Sequence, residues 1–229
     1  MCLNVRTLCD RMYSGDRMKI YILGDSISAA YTPEQAPQEG WGQELGSLLP
    51  ETEIINKAVG GRSTKSYISE GRLAEVEKIL EAGDIVLVQF AHNDWNPIKW
   101  RYCEADIGYK DNLRIFVDTA RQYGAVPVLL SPICMRIWQD GQLQPTHSDY
   151  PKAMRQVASE KGAAFIDMYK LSYDEVETLG EENSKRLYLY TPDGSKRDDA
   201  HTSIEGAKLF ARIIADELIK LGLVKGGAQ

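Results

Sequence analysis

The sequence contains few cysteines and no long hydrophobic run. Its 229 residues include four cysteines, Cys2, Cys9, Cys103 and Cys134, and none of them form the close pairs that hold zinc. We therefore expect reduced thiols, and neither a metal nor another cofactor. No stretch approaches the roughly 20 apolar residues of a membrane span. No basic cluster occurs in a chain of net charge −6. These absences argue against a membrane protein and against a nucleic-acid-binding protein.

The N-terminal segment also lacks the apolar core of a signal peptide. Residues 1–17 carry the charged residues Arg6, Asp10, Arg11 and Asp16, so we expect a polar leader and a cytoplasmic protein. No Pro/Gly/Ser-rich linker divides the remainder, which predicts a single domain over residues 18–224 and a flexible tail over residues 225–229. The acidic surface and an amphipathic last helix are compatible with a monomer or a homodimer.

Five short apolar segments alternate with helical patterns along the chain. The strand segments lie near residues 19–23, 54–55, 85–90, 126–130 and 164–167. The helical patterns lie near residues 41–49, 64–80, 110–123, 150–161, 173–179 and 203–221. In the second pattern we expect Leu73, Val76, Ile79 and Leu80 on the buried face, and we assign no element to the polar segment 183–202. The alternation predicts a three-layer α/β/α, flavodoxin-like fold with a five-stranded parallel sheet in the order 2-1-3-4-5.

Three polar motifs follow the first three strands. They are Gly24-Asp25-Ser26, Gly60-Gly61-Arg62 and Ala91-His92-Asn93-Asp94. In the predicted strand order, the carboxyl ends of strands 1 and 3 flank the crevice where such sheets bind ligands. Ser26 alone is equally well explained as a helix cap. The three motifs together predict a site at this edge of the sheet.

A serine nucleophile needs a base and a group that orients it. Of the three histidines, His201 follows Asp198 by three residues, a spacing that lets the carboxylate reach one ring nitrogen. Helix capping explains the neighbouring Thr202 or Ser203 but does not require a histidine. Asp199 is the rival orienting group and His92 is the rival base. We interpret His147, in a Gln- and Pro-containing loop, as a solvated residue.

In their order along the chain, these blocks resemble the SGNH (GDSL-like) hydrolase superfamily. The resemblance implies a nucleophile at Ser26, a general base at His201 and an orienting carboxylate at Asp198. It further implies an oxyanion hole formed by the backbone N–H groups of Ser26 and Gly61 and by the side-chain amide of Asn93. The sequence departs from the family at residue 91, where an alanine replaces the usual glycine.

The segments around Gly61 to Tyr67, His92 to Asp94 and His201 to Ala207 are similar to rhamnogalacturonan acetylesterases and related carbohydrate esterases. This resemblance implies removal of acetyl groups from plant cell-wall-derived rhamnogalacturonan or xylan oligosaccharides. Four aromatic or charged loop residues join His92 as candidate substrate contacts, although packing against the core explains the tryptophans equally well. These four residues are Arg62, Trp95, Trp100 and Trp138.

Two alternatives stay open from the sequence. The first is a lysophospholipase, thioesterase or arylesterase that uses the same catalytic groups and prefers longer acyl chains. The second is a flavodoxin-like binding module without catalytic activity. The binding module would leave Asn93, Asp198 and His201 without a role.

Overall fold

A computed structural model describes residues 17–226; Cys2, Cys9 and most of the predicted leader and tail lie outside this range. The strands are β1 Met18–Gly24, β2 Thr52–Asn56, β3 Ile85–Gln89, β4 Val126–Leu130, β5 Trp138–Gln139, β6 Gln142–Leu143, β7 Ala164–Ile166, β8 Tyr188–Tyr190 and β9 Arg197–Thr202. The α-helices are α1 Trp41–Leu48, α2 Thr64–Ser69, α3 Arg72–Glu77, α4 Lys110–Gln122, α5 Tyr150–Lys161, α6 Met168–Ser184 and α7 Ile204–Lys220.

The central sheet contains five parallel strands in the order β2-β1-β3-β4-β7. Ile22 lies beside Leu87 in the β1–β3 pair, and Leu87 lies beside Val128 in the β3–β4 pair. Both the α/β/α fold and the strand order predicted from the sequence are confirmed. Because parallel strands end at one edge, the loops after β1, β2 and β3 meet there.

Apolar side chains fill both faces of the sheet. Ile20 and Ile22 of β1 pack in one core cluster with residues of α1 and α7, while Tyr21 and Leu23 pack in the other with residues of α4 and α5. Alternate residues of a strand point to opposite faces, so the side chains of an almost continuous apolar run are buried on both faces of the sheet. This double burial fixes the register of the strands that carry the site loops.

Some local predictions were wrong. The predicted helix over residues 64–80 is two short helices, α2 and α3, separated by Gly71 at a φ of +74°. Ile79 lies beyond the end of α3 and is 41% exposed, so it does not belong to the buried face. Helix α6 is longer than predicted and is interrupted at Gly180, where the backbone is not helical.

The polar segment 183–202 contains the antiparallel hairpin of β8 and β9, which the sequence did not predict. Strand β9 is tied to two loops by backbone hydrogen bonds. The Glu39 N–H donates to the Thr202 carbonyl at 3.1 Å, and the Arg136 N–H donates to the Asp199 carbonyl at 2.8 Å. These bonds hold β9 beside the loops that follow β1 and β4.

None of the helices within residues 17–226 combines the length and the apolar character needed to cross a membrane.

Candidate active site

Ser26 lies in the tight turn that follows β1. A Cβ atom at Gly24 would come within 2.7 Å of the Gln89 carbonyl oxygen, so only glycine fits where β1 passes β3 at this point. The Asp25 carboxylate accepts the Ile27 N–H at 3.0 Å and closes the turn. Together these contacts hold Ser26 at the carboxyl edge of the sheet.

The Ser26 hydroxyl lies in a hydrogen-bonded row with a histidine and an aspartate. His201 Nε2 is 3.0 Å from Ser26 Oγ, and His201 Nδ1 is 2.7 Å from Asp198 Oδ2. Asp198 Oδ1 accepts the backbone N–H groups of Ala200 at 2.8 Å and His201 at 2.9 Å. Both oxygens of this carboxylate therefore have partners, and its position on β9 is fixed.

The charges in this row set the tautomer of the imidazole. The hydrogen bond from His201 lowers the pKa of Asp198 well below its ordinary range, so the carboxylate is ionised and can only accept hydrogen bonds. The proton on Nδ1 of neutral His201 must then face Asp198, which leaves the Nε2 lone pair toward Ser26. The same bond to Asp198 raises the pKa of His201.

Ser26, Gly61 and Asn93, which carry the three donor groups expected of an oxyanion hole, line the same cavity. Gly61 adopts a φ of +77°, a backbone conformation that favours glycine. Within the described residues, the backbone N–H groups of Ser26 and Gly61 form no hydrogen bond. Asn93 donates one side-chain N–H to the Arg62 carbonyl at 3.1 Å, so its second amide N–H is left for another acceptor. The arrangement can bind an oxyanion.

These groups open into a cavity of about 420 Å³. Its lining residues are Ser26, Ile27, Tyr31, Gly60, Gly61, His92, Asn93, Trp95, Arg101, Met135, Ala200 and His201. A larger cavity, of about 840 Å³, is lined by Asp199 and Arg136 among others and contains neither Ser26 nor His201. The smaller cavity is the candidate active site because the Ser26 hydroxyl and the His201 imidazole both line it.

Two buried carboxyl groups lie directly behind the cavity wall. Burial raises the pKa of Asp25 to about 7 and that of Asp94 to about 6. Asp94 Oδ1 accepts the Thr64 N–H at 2.9 Å, whereas the Oδ2 atoms of Asp25 and Asp94 are buried without a hydrogen bond. For Asp25, burial is the larger cause and repulsion from the Asp94 charge adds to it, so near neutral pH Asp25 is partly protonated.

His147 corrects a prediction made from the sequence. It is 5% exposed, and its Nε2 lies 3.2 Å from His92 Nδ1. Burial lowers the pKa of His147 to about 3 and holds that of His92 well below its ordinary value. His92 is therefore a neutral residue of the cavity wall, and no hydrogen bond joins it to Ser26.

The structure separates the proposed substrate contacts into two groups. Trp95 lines the cavity with 47% of its surface exposed, whereas Trp100 is 50% exposed but does not line it. Trp138 lines the larger cavity instead. The Arg62 guanidinium forms an ion pair with Glu70 at 3.1 Å and is absent from the cavity wall. His92 and Trp95 are thus the members of the set that line the site.

Two polar residues of the cavity, Tyr31 and Arg101, were not predicted from the sequence. The Tyr31 hydroxyl donates to the Ser26 carbonyl at 2.7 Å, and burial raises the pKa of Tyr31 to about 12. Arg101 Nη1 donates to Asn93 Oδ1 at 3.1 Å. Neither residue belongs to a recognisable motif, and their positions depend on how the loops after β1 and β3 fold.

The departure at position 91 places a strained alanine beneath the site. Ala91 is fully buried and has a φ of +131°, a region that L side chains rarely adopt. Asn93, two residues later, nevertheless lines the cavity. Strain of this kind costs on the order of 1–3 kcal/mol.

Within residues 17–226, no group of three or more histidine, cysteine, aspartate or glutamate side chains has an arrangement that could hold a metal ion.

The sequence model of the GDSL-like lipase/acylhydrolase family matches residues 22–209. The rhamnogalacturonan acetylesterase RhgT of Bacillus subtilis (strain 168) is 35% identical over 216 residues, covering 90% of this chain and 91% of the relative.

Two solved structures are also similar. The Bacillus subtilis protein YXIM superposes with a TM-score of 0.80 at 27% identity; the match covers 93% of this chain and 58% of that one. Axe2, an acetylxylan esterase from Geobacillus stearothermophilus, superposes with a TM-score of 0.62 at 19% identity, and the match covers 91% and 96% of the two chains. The second likeness concerns the fold alone.

Proposed function

The chain belongs to the GDSL-like lipase/acylhydrolase family, and we propose that it is a serine esterase that removes O-acetyl groups from plant cell-wall-derived oligosaccharides. Rhamnogalacturonan fragments are the first candidate substrate and xylan fragments the second. The observation that carries the proposal is the hydrogen-bonded row of Ser26, His201 and Asp198. The similarity to RhgT, which is named a rhamnogalacturonan acetylesterase, supports the choice of an acetylated pectic sugar.

In the proposed acylation step, Ser26 Oγ attacks the acetyl carbonyl carbon while His201 Nε2 takes the hydroxyl proton. Asp198 holds the imidazole and stabilises the imidazolium. The negative charge on the carbonyl oxygen is bound by the N–H groups of Ser26 and Gly61 and by the Asn93 amide. Each such donor contributes about 10²–10³-fold to turnover.

The tetrahedral intermediate then collapses, and the bond between the acetyl carbon and the sugar oxygen breaks. His201 returns the proton to that oxygen, so the sugar leaves as an alcohol and the acetyl group stays on Ser26. Water attacks the acetyl-enzyme with His201 as the base, and acetate leaves with Ser26 restored.

Acetate release from acetylated rhamnogalacturonan and xylan oligosaccharides tests this proposal, with short- and long-chain p-nitrophenyl esters measured beside them. We expect Ser26→Ala to lower kcat at least about 10⁴-fold, because the remaining groups cannot form the acyl-enzyme. Ser47→Ala is the matched control, since Ser47 is exposed on α1 and donates only to the Glu44 carbonyl.

Preference for long acyl chains would contradict the acetylesterase proposal and favour a lipase or thioesterase. Absence of serine-dependent hydrolysis of every ester would favour the non-catalytic binding module. Serine-dependent acetate release from either oligosaccharide, with short acyl preference, is the result that supports the proposal.

A further inference from the structure

The catalytic cavity contains a guanidinium group without a counter-ion. Arg101 lines the cavity together with Ser26 and His201. No carboxylate within residues 17–226 forms an ion pair with it, whereas the neighbouring Arg62 is paired with Glu70. An unpaired cation in a partly buried wall is costly, since burial weakens its contact with water.

Arg101 is nevertheless held in one place. Its Nη1 donates to Asn93 Oδ1 at 3.1 Å, and its guanidinium carbon lies 5.4 Å from the centre of the Trp100 ring. Its Nε is buried without a hydrogen-bond partner. Because a guanidinium has five N–H donors, the contact with Asn93 leaves most of them unused. The Arg101 guanidinium is therefore a cation in a fixed position whose remaining N–H groups can donate to another acceptor.

The contact with Asn93 also defines which way its amide faces. A guanidinium only donates, so the atom that it contacts must be the amide oxygen. The amide nitrogen then faces the Arg62 carbonyl and the cavity, where the proposed oxyanion forms. Orientation of the amide requires a single neutral contact, which any short donor could make. It does not explain why this position carries a full, unpaired charge.

We propose that Arg101 is a specificity-determining residue that binds a carboxylate on the sugar substrate, so that the enzyme selects acetylated acidic oligosaccharides over neutral ones. This inference rests on the proposed function and narrows its substrate class. A planar guanidinium matches a carboxylate through two parallel hydrogen bonds. With a net charge of −6, the chain as a whole repels anions, and a local cation in the cavity offsets that repulsion for a correctly placed substrate.

The test uses two substrates that differ in the charge of their uronates: an acetylated uronate-containing oligosaccharide and the same oligosaccharide with its carboxylates methyl-esterified. We expect the wild type to prefer the acidic form about 10–100-fold in kcat/KM, mainly through KM, and to lose preference as salt increases. Arg101→Gln, which keeps an N–H donor for Asn93, should remove the preference. Arg101→Lys should retain part of it.

A matched control separates local charge from total charge. Arg121 is exposed on α4 and donates to the Gly162 carbonyl, so Arg121→Gln removes the same unit of charge far from the cavity. This variant should keep the preference of the wild type. The rate at which a neutral fluorophosphonate labels Ser26 checks that each variant retains its nucleophile.

If Arg101→Gln lowers kcat/KM equally on both oligosaccharides, the proposal is overturned and Arg101 is a positioning residue for Asn93. Absence of a preference in the wild type would overturn it as well. The aryl pair 4-acetoxybenzoate and its methyl ester separates this failure from failure of the proposed function. If no sugar is deacetylated but the charged aryl ester is preferred through Arg101, the oligosaccharide assignment fails and the carboxylate site stands. If neither pair shows a preference dependent on Arg101, the carboxylate site fails.

Discussion

Strand β9 places two consecutive carboxylates in different surroundings. Asp198 contacts His201 and two backbone N–H groups beside the candidate active site. Asp199 contacts the guanidinium of Arg136 at 2.7 Å and the Tyr190 hydroxyl at 2.6 Å, and it lines the larger cavity. We call these surroundings the catalytic side and the structural side of β9.

The two sides differ in how their charges are balanced. On the structural side, a carboxylate faces an arginine that is 4% exposed, so a buried cation has its counter-charge. On the catalytic side, Asp198 faces a histidine that is neutral until it accepts a proton. We infer that the same chemical group stabilises the hairpin in one place and a transient charge in the other. The first contact should govern folding and the second should govern turnover.

The largest expected effect is on the catalytic side. Asp198→Asn should lower kcat about 10³–10⁴-fold, because its Oδ1 keeps the backbone contacts and its amide N–H₂ then faces His201 Nδ1. The imidazole proton would move to Nε2, where it cannot accept the serine proton. Initial rates of acetate release measure the loss, and Asp199→Asn should retain kcat. Equal loss of kcat in both variants would remove the distinction between the two sides.

The same variant changes the pH profile in a defined direction. The hydrogen bond to Asp198 raises the pKa of His201, and activity requires the neutral imidazole, so the acidic limb of kcat/KM reports this pKa. Asp198→Asn removes the largest raising contact, and the limb should move to lower pH. Asp199→Asn should leave the limb unchanged. A limb that moves to higher pH in Asp198→Asn would contradict the assigned contact.

Asp25, which is buried behind the cavity wall, tests whether an ionised carboxylate on the catalytic side destabilises the fold. Its pKa is about 7 in the folded chain against an ordinary value of 3.8, so its protonation stabilises the fold below about pH 4 and this contribution is lost as pH rises through about 7. Asp25→Asn keeps the acceptor for Ile27 and should increase the free energy of unfolding by about 1–4 kcal/mol at pH 8. Urea denaturation at pH 5 should show a much smaller gain. An equal gain at both pH values would exclude titration of Asp25 as the cause.

On the structural side, Asp199→Asn should decrease the free energy of unfolding by about 1–2 kcal/mol, a range that allows for solvent screening of the partly exposed carboxylate. The physical reason is the loss of charge opposite the buried Arg136. Urea denaturation at pH 7 measures this change. Unchanged stability in Asp199→Asn would mean that the other contacts of Arg136 suffice and that the pair is not structural.

The smallest effect concerns the strained alanine on the catalytic side. Ala91→Gly should raise the free energy of unfolding by about 0.5–1 kcal/mol, because relief of the positive φ exceeds the lost methyl contact and the extra entropy of the unfolded chain. Thermal unfolding measures this difference. A clear loss of stability would show that packing of the buried methyl group outweighs the strain.

The sequence predicted the central sheet because its strands are short, nearly continuous apolar runs, of which β3 and β4 are buried along their whole length. It did not predict the β8–β9 hairpin, since β9 carries polar residues on both sides and shows no apolar alternation. Yet it is in this hairpin that the side chains of Asp198 and Asp199 have different surroundings. The choice between the two carboxylates depended on family spacing, and a strand with partners on both sides cannot be inferred from spacing alone.

The remaining errors concern tertiary contacts. His147 is buried because its imidazole packs against His92, 55 residues earlier in the chain, and nothing in its loop composition indicates that contact. Arg101 was not predicted because the feature that singles it out is the absence of a carboxylate partner in the folded chain. An absent partner can be recognised only after the surrounding side chains have been placed.

The most direct test of the assigned catalytic row is covalent labelling with a fluorophosphonate, followed by peptide mass spectrometry on the wild type, Asp198→Asn and Asp199→Asn. We expect stoichiometric modification of Ser26 in the wild type, a labelling rate close to the wild-type rate in Asp199→Asn, and a labelling rate reduced by orders of magnitude in Asp198→Asn. Modification at another serine, or equal rates in the two aspartate variants, would contradict the assignment of Ser26, His201 and Asp198 as the reacting row.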